Sequence, residues 1–125
     1  MFSHIVVGAD DTEKAKKFYD ATLGALGIEP GFMDDTGRVF YRTDSGLFAI
    51  TKPLNGESAS SGNGSTIGFA AKTPEECDDW HAAGLANGGE AVEDPPGMRE
   101  GSEMKMYLAY LRDPAGNKIC TLHRM

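Results

Sequence analysis

The strongest constraint on the fold is a hairpin pattern that occurs twice in the chain. Residues 110–121 predict two strands joined by a tight turn with a bulged loop. The turn contains three residues that favour such loops, namely Asp113, Pro114 and Gly116. Residues 41–51 repeat the pattern at an offset of 70, at which Arg42 falls on Arg112 (112 − 42). The chain is therefore expected to contain two similar modules.

An amphipathic helix also occurs twice. The first is expected to begin after the capping residues 10–12 and to end at Gly27. The second begins at residues 73–76, a capping box with proline at its first helical position. The inward residues recur at an offset of 62 (77 − 15): Ala15, Phe18, Tyr19, Thr22 and Leu23 of the first helix fall on Cys77, Trp80, His81, Gly84 and Leu85 of the second, and Leu26 continues the inward face of the first helix alone. We assign this whole set to core packing rather than to a site.

These repeats predict an α+β fold made of two βαβββ modules, residues 1–52 and 66–125, each a curled sheet with a helix on its outer face. The segment between them, residues 53–65, is rich in Pro, Asn, Gly and Ser and is predicted to be a linker. The offset between the copies grows from 62 at the helix to 70 at the hairpin. We assign the eight extra residues (70 − 62) to a Pro/Gly-rich loop at residues 94–104, a kind of loop that often carries function.

Composition and charge exclude several classes of partner. A net charge of −7 and a pI near 4.8 would repel phosphate, so neither nucleic acid nor an anionic membrane is expected to bind. No apolar run approaches the roughly 18 residues of a membrane span, and residues 1–7 lack a basic leader and a long apolar core. Two cysteines are too few for a disulfide framework. The sequence therefore predicts a cytoplasmic protein with reduced thiols.

Three short motifs carry a resemblance to a known family. They are Phe18-Tyr19 late in the first helix, Leu23-Gly24 near its end, and Arg-Asp-Pro-Ala-Gly-Asn at residues 112–117. Together with the doubled module, they make the chain resemble the vicinal oxygen chelate superfamily. Its members include glyoxalase I, extradiol dioxygenases, and the fosfomycin- and bleomycin-resistance proteins. The resemblance implies a homodimer, and closing two curved half-barrels against each other would bury their apolar surface.

The resemblance also implies a cleft lined by the first and last strands of both modules, where the family places its metal ligands. Four positions are carried over, namely His4, Ile50, Thr66 and Cys120. The repeat pairs His4 with Thr66 at an offset of 62 and Ile50 with Cys120 at an offset of 70. Only His4 is a usual family ligand, because the metal enzymes need a histidine at position 66 and a carboxylate at position 120. We therefore predict no cofactor.

The alternative is one divalent metal held partly by His4. Cys120 would supply a second ligand, whereas a catalytic zinc usually has three protein ligands. Either Glu103 or His123 could complete the set, although the repeat places neither of them.

Each candidate also has a structural interpretation. His4 either faces the ligand or is a core histidine hydrogen-bonded to the backbone. Cys120 is either a thiol activated by His4 or a small buried hydrophobic residue. We further predict ligand contacts from Arg99, in the long loop, and from Tyr110, which a simple hairpin register places opposite Cys120. A bulge in the turn would shift that register by one residue and turn Tyr110 away.

The predicted function is that of a glyoxalase/bleomycin resistance-like protein that binds a small organic molecule in its cleft without the family metal. The alternative is a lyase, isomerase or dioxygenase of the glyoxalase superfamily, using an atypical metal site or the pair His4 and Cys120. A third hypothesis is a dimer whose cleft is filled by large side chains such as Met106 or Tyr107.

Overall fold

Each half of the chain forms one mixed β-sheet with one helix beside it. The computed structural model describes residues 1–101 and 104–125. The first half contains β1 (His4–Gly8), α1 (Thr12–Gly24), β2 (Phe32–Met33), β3 (Val39–Thr43) and β4 (Gly46–Thr51). The second half contains β5 (Ile67–Ala70), α2 (Pro74–Ala86), β6 (Glu90–Ala91), β7 (Gly97–Glu100), β8 (Lys105–Arg112) and β9 (Lys118–Arg124). The predicted α+β fold class is confirmed.

The two sheets follow the same path. In the first sheet the strand order is β1-β4-β3-β2, and β1 runs parallel to β4. In the second sheet the order is β5-β9-β8-β6, β5 runs parallel to β9, and β7 also pairs with β8. The other neighbouring strands are antiparallel. Each module is thus a hairpin joined by a crossover helix to a parallel edge strand.

The eight extra residues of the second module extend its sheet. β7 occupies Gly97–Glu100 and pairs with the first half of β8, where the sequence predicts a long loop. Pro95 and Pro96 separate β7 from β6, because proline has no N–H to donate to the ladder. The prediction of one uninterrupted loop is therefore wrong: the insertion is a short irregular segment followed by a strand.

Both helices begin where their caps predict. Asp11 caps α1 by accepting a hydrogen bond from the N–H of Lys14 at 3.0 Å. Thr73 caps α2 in the same way, accepting from the N–H of Glu76 at 3.1 Å, and proline occupies the first turn. Each helix has 13 residues, and in the described part of the chain none is long and apolar enough to cross a membrane.

The inward face of α1 is buried as predicted, but the buried face of α2 is narrower than predicted and consists of Cys77, Trp80 and Gly84. α2 comes closest to the core at Gly84, where a Cβ atom would overlap Leu111 and press on Phe18. With Gly84 directed at the core, Leu85 turns outward and is 47% exposed. The predicted burial of Leu85 is therefore wrong.

One continuous core joins the two modules. The ring of Tyr19 packs against Phe18 and Phe48, with 4.9 Å between ring centroids in each pair. Phe48 in turn meets Phe69 of the second module edge to face at 5.2 Å. Trp80 is fully buried in the same cluster. Because aromatic pairs add about 0.5–1.5 kcal/mol beyond area burial, these rings hold the modules together.

The turn of the second hairpin is tied into this core by Asp113. Its Oδ1 atom accepts hydrogen bonds from the N–H groups of Ala115 at 2.9 Å and Asn117 at 2.8 Å, as its turn position predicts. Its Oδ2 atom accepts from the Tyr19 hydroxyl at 2.6 Å and from the Asn117 amide at 2.9 Å. The same amide donates to the carbonyl of Gly8 at 3.1 Å. The turn motif therefore also joins the two modules.

Candidate functional site

Alternate residues of each strand point to opposite sides of the sheet, and a helix covers one side only. On the covered side of the first sheet, Phe48 and Ile50 belong to the core. Their neighbours Leu47 and Ala49 therefore point to the other side. We call the side of either sheet that no helix covers the open face.

Ile50 lies on the covered side of its sheet. Its side chain is fully buried among core residues and cannot reach a ligand on the open face. Ala49 takes the open-face position instead, opposite Val6 on β1 and Phe40 on β3. This placement corrects the assignment of Ile50 to the cleft.

The two hairpin turns explain the difference. In the first hairpin Arg42 pairs with Leu47, and in the second Arg112 pairs with Lys118. The second turn is thus one residue longer, since 118 − 112 is 6 and 47 − 42 is 5. The last strands of the modules correspond at an offset of 71 (118 − 47), not 70. A shift of one residue moves a side chain to the opposite face of a strand.

Cys120, which matches Ala49 at this offset, lies on the open face of the second sheet. Its side chain is 7% exposed, and a Cβ atom on the neighbouring Gly68 would lie 3.2 Å from its sulfur. Burial raises the pKa of the Cys120 thiol to about 11; the Glu93 carboxylate adds to this shift and Lys118 opposes it. An un-ionised thiol at neutral pH favours the interpretation of Cys120 as a small buried residue over that of an activated nucleophile.

His4, on β1, and Thr66, just before β5, are both exposed. The Nδ1 atom of His4 lies 2.7 Å from the hydroxyl of Ser3, its neighbour in sequence. His4 is therefore not a core histidine, and that interpretation is wrong. His4 belongs to the first sheet and Cys120 to the second, and within the described residues no hydrogen bond joins the two side chains.

A polar cluster surrounds Tyr110 on the open face of the second sheet. Tyr110 pairs with Cys120 across β8 and β9, so the predicted hairpin register is confirmed. The ammonium group of Lys118 lies 5.2 Å from the centre of the Tyr110 ring and also forms an ion pair with Glu93. Arg99, on β7, lies on the same face. We call Tyr110, Lys118, Glu93 and Arg99 the Tyr110 cluster.

Arg99 is held in place by the irregular segment before β7. Its guanidinium donates to the backbone carbonyls of Asp94 and Pro95, at 3.1 Å and 3.0 Å. β7 pairs Arg99 with Met106, which places it on the open face. Burial raises the pKa of the Tyr110 phenol, and the two cations of the cluster oppose that shift.

Glu93 has an unusual backbone conformation. Its φ of 58° lies in the left-handed region, and it is the one non-glycine residue with a positive φ in the part of the chain that the structure describes. The conformation occurs where β6 ends, just before the two prolines. Conformations of this kind cost on the order of 1–3 kcal/mol and cluster at functional sites. The strained segment brings the Glu93 carboxylate to Lys118.

The open faces are not enclosed within a single chain. A cavity of about 320 Å³ lies between the start of α1 and the second hairpin turn, and another of about 370 Å³ lies against the linker. Neither is lined by the Tyr110 cluster. Val6, at the middle of β1, is 48% exposed on the open face of the first sheet. That face is therefore uncovered by the rest of the described chain.

The donors present do not fit the metal centre of the family's enzymes. The carried-over positions supply an imidazole, a hydroxyl and an un-ionised thiol. No group of three or more His, Cys, Asp or Glu side chains among the described residues could hold a metal ion. His123 points to the covered side, where its Nδ1 atom lies 3.1 Å from the carbonyl of Ala71. Glu103 lies outside the described residues.

Two modules on a βαβββ plan, the second with the added strand β7, each with a helix on one side of its sheet and an open face on the other, define the glyoxalase-like class of α+β proteins. Residues 1–121 match the model of the Glyoxalase/Bleomycin resistance protein/Dioxygenase superfamily, and the chain belongs to this family. The resemblance found in the sequence is confirmed.

Solved structures agree with this assignment. The chain is 62% identical to a glyoxalase/bleomycin resistance protein from Albidiferax ferrireducens T118, over 99% of both chains and with a TM-score of 0.96. A glyoxalase/bleomycin resistance protein/dioxygenase family enzyme from Burkholderia phytofirmans PsJN is 17% identical over 98% of both chains, with a TM-score of 0.74. A lactoylglutathione lyase from Agrobacterium tumefaciens is 19% identical over 98% of this chain and 92% of its own, with a TM-score of 0.65. The last two show the fold alone. No curated protein matches the chain.

Proposed function

We propose that the protein binds a small organic molecule on the open faces of its sheets, without the metal centre of the family's enzymes. One observation carries this function: the polar Tyr110 cluster stands beside apolar side chains on the side of the second sheet that no helix covers. Leu108 and Leu122 pair with each other on that face, next to the pair of Tyr110 and Cys120. An apolar surface with a few convergent polar groups is the usual composition of a small-molecule site.

A homodimer is part of the proposed function. Val6 and Phe32, on the open face of the first sheet, are 48% and 68% exposed in the single chain. Phe2, just before β1, is 68% exposed as well. Large apolar side chains grouped on one surface mark an interaction site. A second copy of the chain would cover this surface and convert the open faces into an enclosed cleft.

Sedimentation equilibrium at micromolar concentration tests the dimer and should give about twice the chain mass of 13.4 kDa. Val6→Glu should shift the mass toward that of one chain, because the change buries a charge in the interface. Leu54→Glu is the matched control, since Leu54 is 95% exposed in the linker and should leave the mass unchanged. A monomeric wild-type chain contradicts the dimer.

The metal-free part of the proposed function depends on donor chemistry. Thr66 stands where the family's metal enzymes have an imidazole, and Cys120 stands where they have a carboxylate. These changes remove a strong nitrogen donor and a negative charge, both of which favour divalent cations. The similarity to the lactoylglutathione lyase shows a shared fold alone, so the activity of that protein is no argument for a metal in this chain.

A cytoplasmic location is also proposed. Both cysteines, Cys77 and Cys120, are free and buried. Reduced thiols persist in that compartment.

A thermal-shift screen of chelator-treated protein with aromatic and α-keto acids tests ligand binding, since a ligand that prefers the folded state raises the Tm. Hits are measured by calorimetry. Tyr110→Phe should weaken binding several-fold because it removes a polar group from the open face. Tyr107→Phe is the control, because Tyr107 lies on the covered side of the same strand. Binding that requires added metal contradicts the proposed function.

A further inference from the structure

We infer that the ligand of the open face is an anion with an apolar body, and that its charged group binds Lys118 in the place that Glu93 occupies in the unliganded chain. This inference rests on the proposed function and names the chemical class of its ligand. The Glu93 carboxylate occupies the position of the ligand's charged group and therefore competes with the ligand for Lys118.

Lys118 provides the first part of the argument. Its side chain is 26% exposed, and its ammonium group lies over the Tyr110 ring, so much of its hydration shell is lost. A half-buried cation needs an anionic or polar partner. The ring face gives partial compensation, and Glu93 provides the negative charge. A ligand anion on the open face would provide Lys118 with the same negative charge.

Glu93 is suited to being displaced. Its side chain is 46% exposed, against 26% for Lys118, so the carboxylate regains water more easily than the ammonium group would. Its left-handed backbone, with φ at 58°, is held only while the surrounding segment favours it. Breaking the ion pair therefore leaves Lys118 as the group in need of a partner. A ligand anion can supply that partner while Glu93 turns to solvent.

The charge of the Tyr110 cluster favours an anionic ligand, although the whole chain is acidic. Lys118 and Arg99 contribute two positive charges to the Tyr110 cluster, and Glu93 contributes one negative charge. The cluster thus has a net charge of +1 (2 − 1) on a protein with a net charge of −7. A neutral ligand would gain less from this arrangement than an anion would. The hydroxyl of Tyr110 adds a polar group beside Lys118.

The apolar body is indicated by the surface beside the cations. Leu108 and Leu122 pair on the open face, and Gly68 lies next to Cys120 without a side chain of its own. Leu108 is buried and Leu122 is half-buried, so the apolar body of the ligand would contact Leu122 and the exposed backbone of Gly68 beside Lys118. A carboxylate with an aromatic or aliphatic body fits both parts of the surface, whereas inorganic phosphate fits only the cations.

The test uses matched pairs of carboxylates and amides that share one apolar body: butanoate and butanamide, 3-phenylpropanoate and 3-phenylpropanamide, and 2-naphthylacetate and 2-naphthylacetamide. Each is titrated into the ¹⁵N-labelled full-length protein and followed by NMR. At least one carboxylate should bind and shift the amide signals of Lys118, Glu93 and Tyr110. Its amide partner should bind at least tenfold more weakly.

Two variants separate the roles of the ion pair. Lys118→Met should weaken the carboxylate at least tenfold, and Glu93→Gln should strengthen it several-fold by removing the competing charge. Lys17→Met is the control for loss of one positive charge, because Lys17 is exposed on α1, and it should leave the affinity unchanged. All variants are checked for a wild-type spectrum outside the cluster.

The outcomes distinguish this inference from the proposed function. If amides and carboxylates bind the open face equally, or if Glu93→Gln weakens binding, the inference is wrong and the proposed function stands. If none of the six probes binds, both are contradicted. Carboxylate binding that Lys118→Met leaves intact assigns the anion to another residue and also overturns the inference.

Discussion

The hydroxyl of Tyr19 donates a 2.6 Å hydrogen bond to the Oδ2 atom of Asp113, joining α1 of the first module to the hairpin turn of the second across 94 positions of sequence. Both side chains are buried. Burial raises the pKa of the Tyr19 phenol well above its usual value, and the Asp113 carboxylate raises it further. The phenol therefore remains a donor at all physiological pH values, and the two modules stay linked.

Tyr19→Phe should lower the free energy of unfolding by about 2 kcal/mol, because hydrogen bonds to charged groups contribute about 1.5–3 kcal/mol and Asp113 stays buried. Urea unfolding measures the change. Tyr107→Phe is the matched control: its hydroxyl also donates to a carboxylate, that of Asp78, at 2.7 Å, but at the surface. Its loss should be below about 0.5 kcal/mol. Equal losses would show that the Tyr19 bond contributes no more than a surface pair.

Gly84→Ala should destabilise the protein by about 1–3 kcal/mol, because the added methyl group overpacks the contact between α2 and Leu111. Gly24→Ala is the control at the end of α1. A Cβ atom there meets nothing within 4 Å, so alanine should be neutral or stabilising by about 0.5–1 kcal/mol. Thermal unfolding of both variants compares them. A stabilising Gly84→Ala would contradict the close helix approach.

Asp20 should make stability depend on pH in the acid range. Partial burial opposes its ionisation, but hydrogen bonds from Lys16, Gly31 and Tyr41 outweigh burial and lower its pKa below 3.8. Because the pKa is lower in the folded state, ionised Asp20 stabilises the fold above about pH 4, and this contribution is lost as pH falls through the folded pKa. Asp20→Asn should therefore be less stable than wild type at pH 6, and the difference should shrink toward pH 2.5.

Urea titrations of both proteins across this range measure the difference. A difference that stays constant from pH 6 to pH 2.5 would show that Asp20 stabilises the fold through shape or hydrogen bonding alone, not through its charge.

The Cys120 thiol should be unreactive in the folded protein. With its pKa raised from 9.0 to about 11, its thiolate fraction near neutral pH falls about a hundredfold. In a Cys77→Ala variant, where Cys120 is the remaining thiol, iodoacetamide at pH 7.5 should react at least about tenfold more slowly with folded than with urea-unfolded protein. A faster reaction in the folded state would favour the alternative of a His/Cys-based enzyme.

The fold could be predicted from the sequence because its signals are local and occur twice. The caps at Asp11 and Thr73 and the turn at Asp113 each specify their own neighbourhood. β7 could not be predicted in this way. β7 forms because the segment after the two prolines pairs with the free edge of β8. That pairing depends on the tertiary fold and not on the local sequence.

The site could be predicted only in part. The hairpin register places Tyr110 correctly opposite Cys120, but counting along the repeat misplaces Ile50, because the second turn has one more residue than the first. Lys118 and Glu93 have no individual signal in the sequence. Their pairing depends on the backbone at Glu93, whose left-handed conformation no local residue preference indicates. Only the period-two alternation of β9 could have placed Lys118 on the open face, because Lys118 lies two residues before Cys120.

Native mass spectrometry of protein purified without chelator, with and without 3-phenylpropanoate, tests the metal-free binding function most directly. We predict a dimer of about twice 13.4 kDa, less than stoichiometric metal, and a mass increase for bound carboxylate that persists after chelator treatment. One tightly held metal per chain, lost in His4→Ala together with carboxylate binding, would contradict this prediction and favour a metal-dependent enzyme.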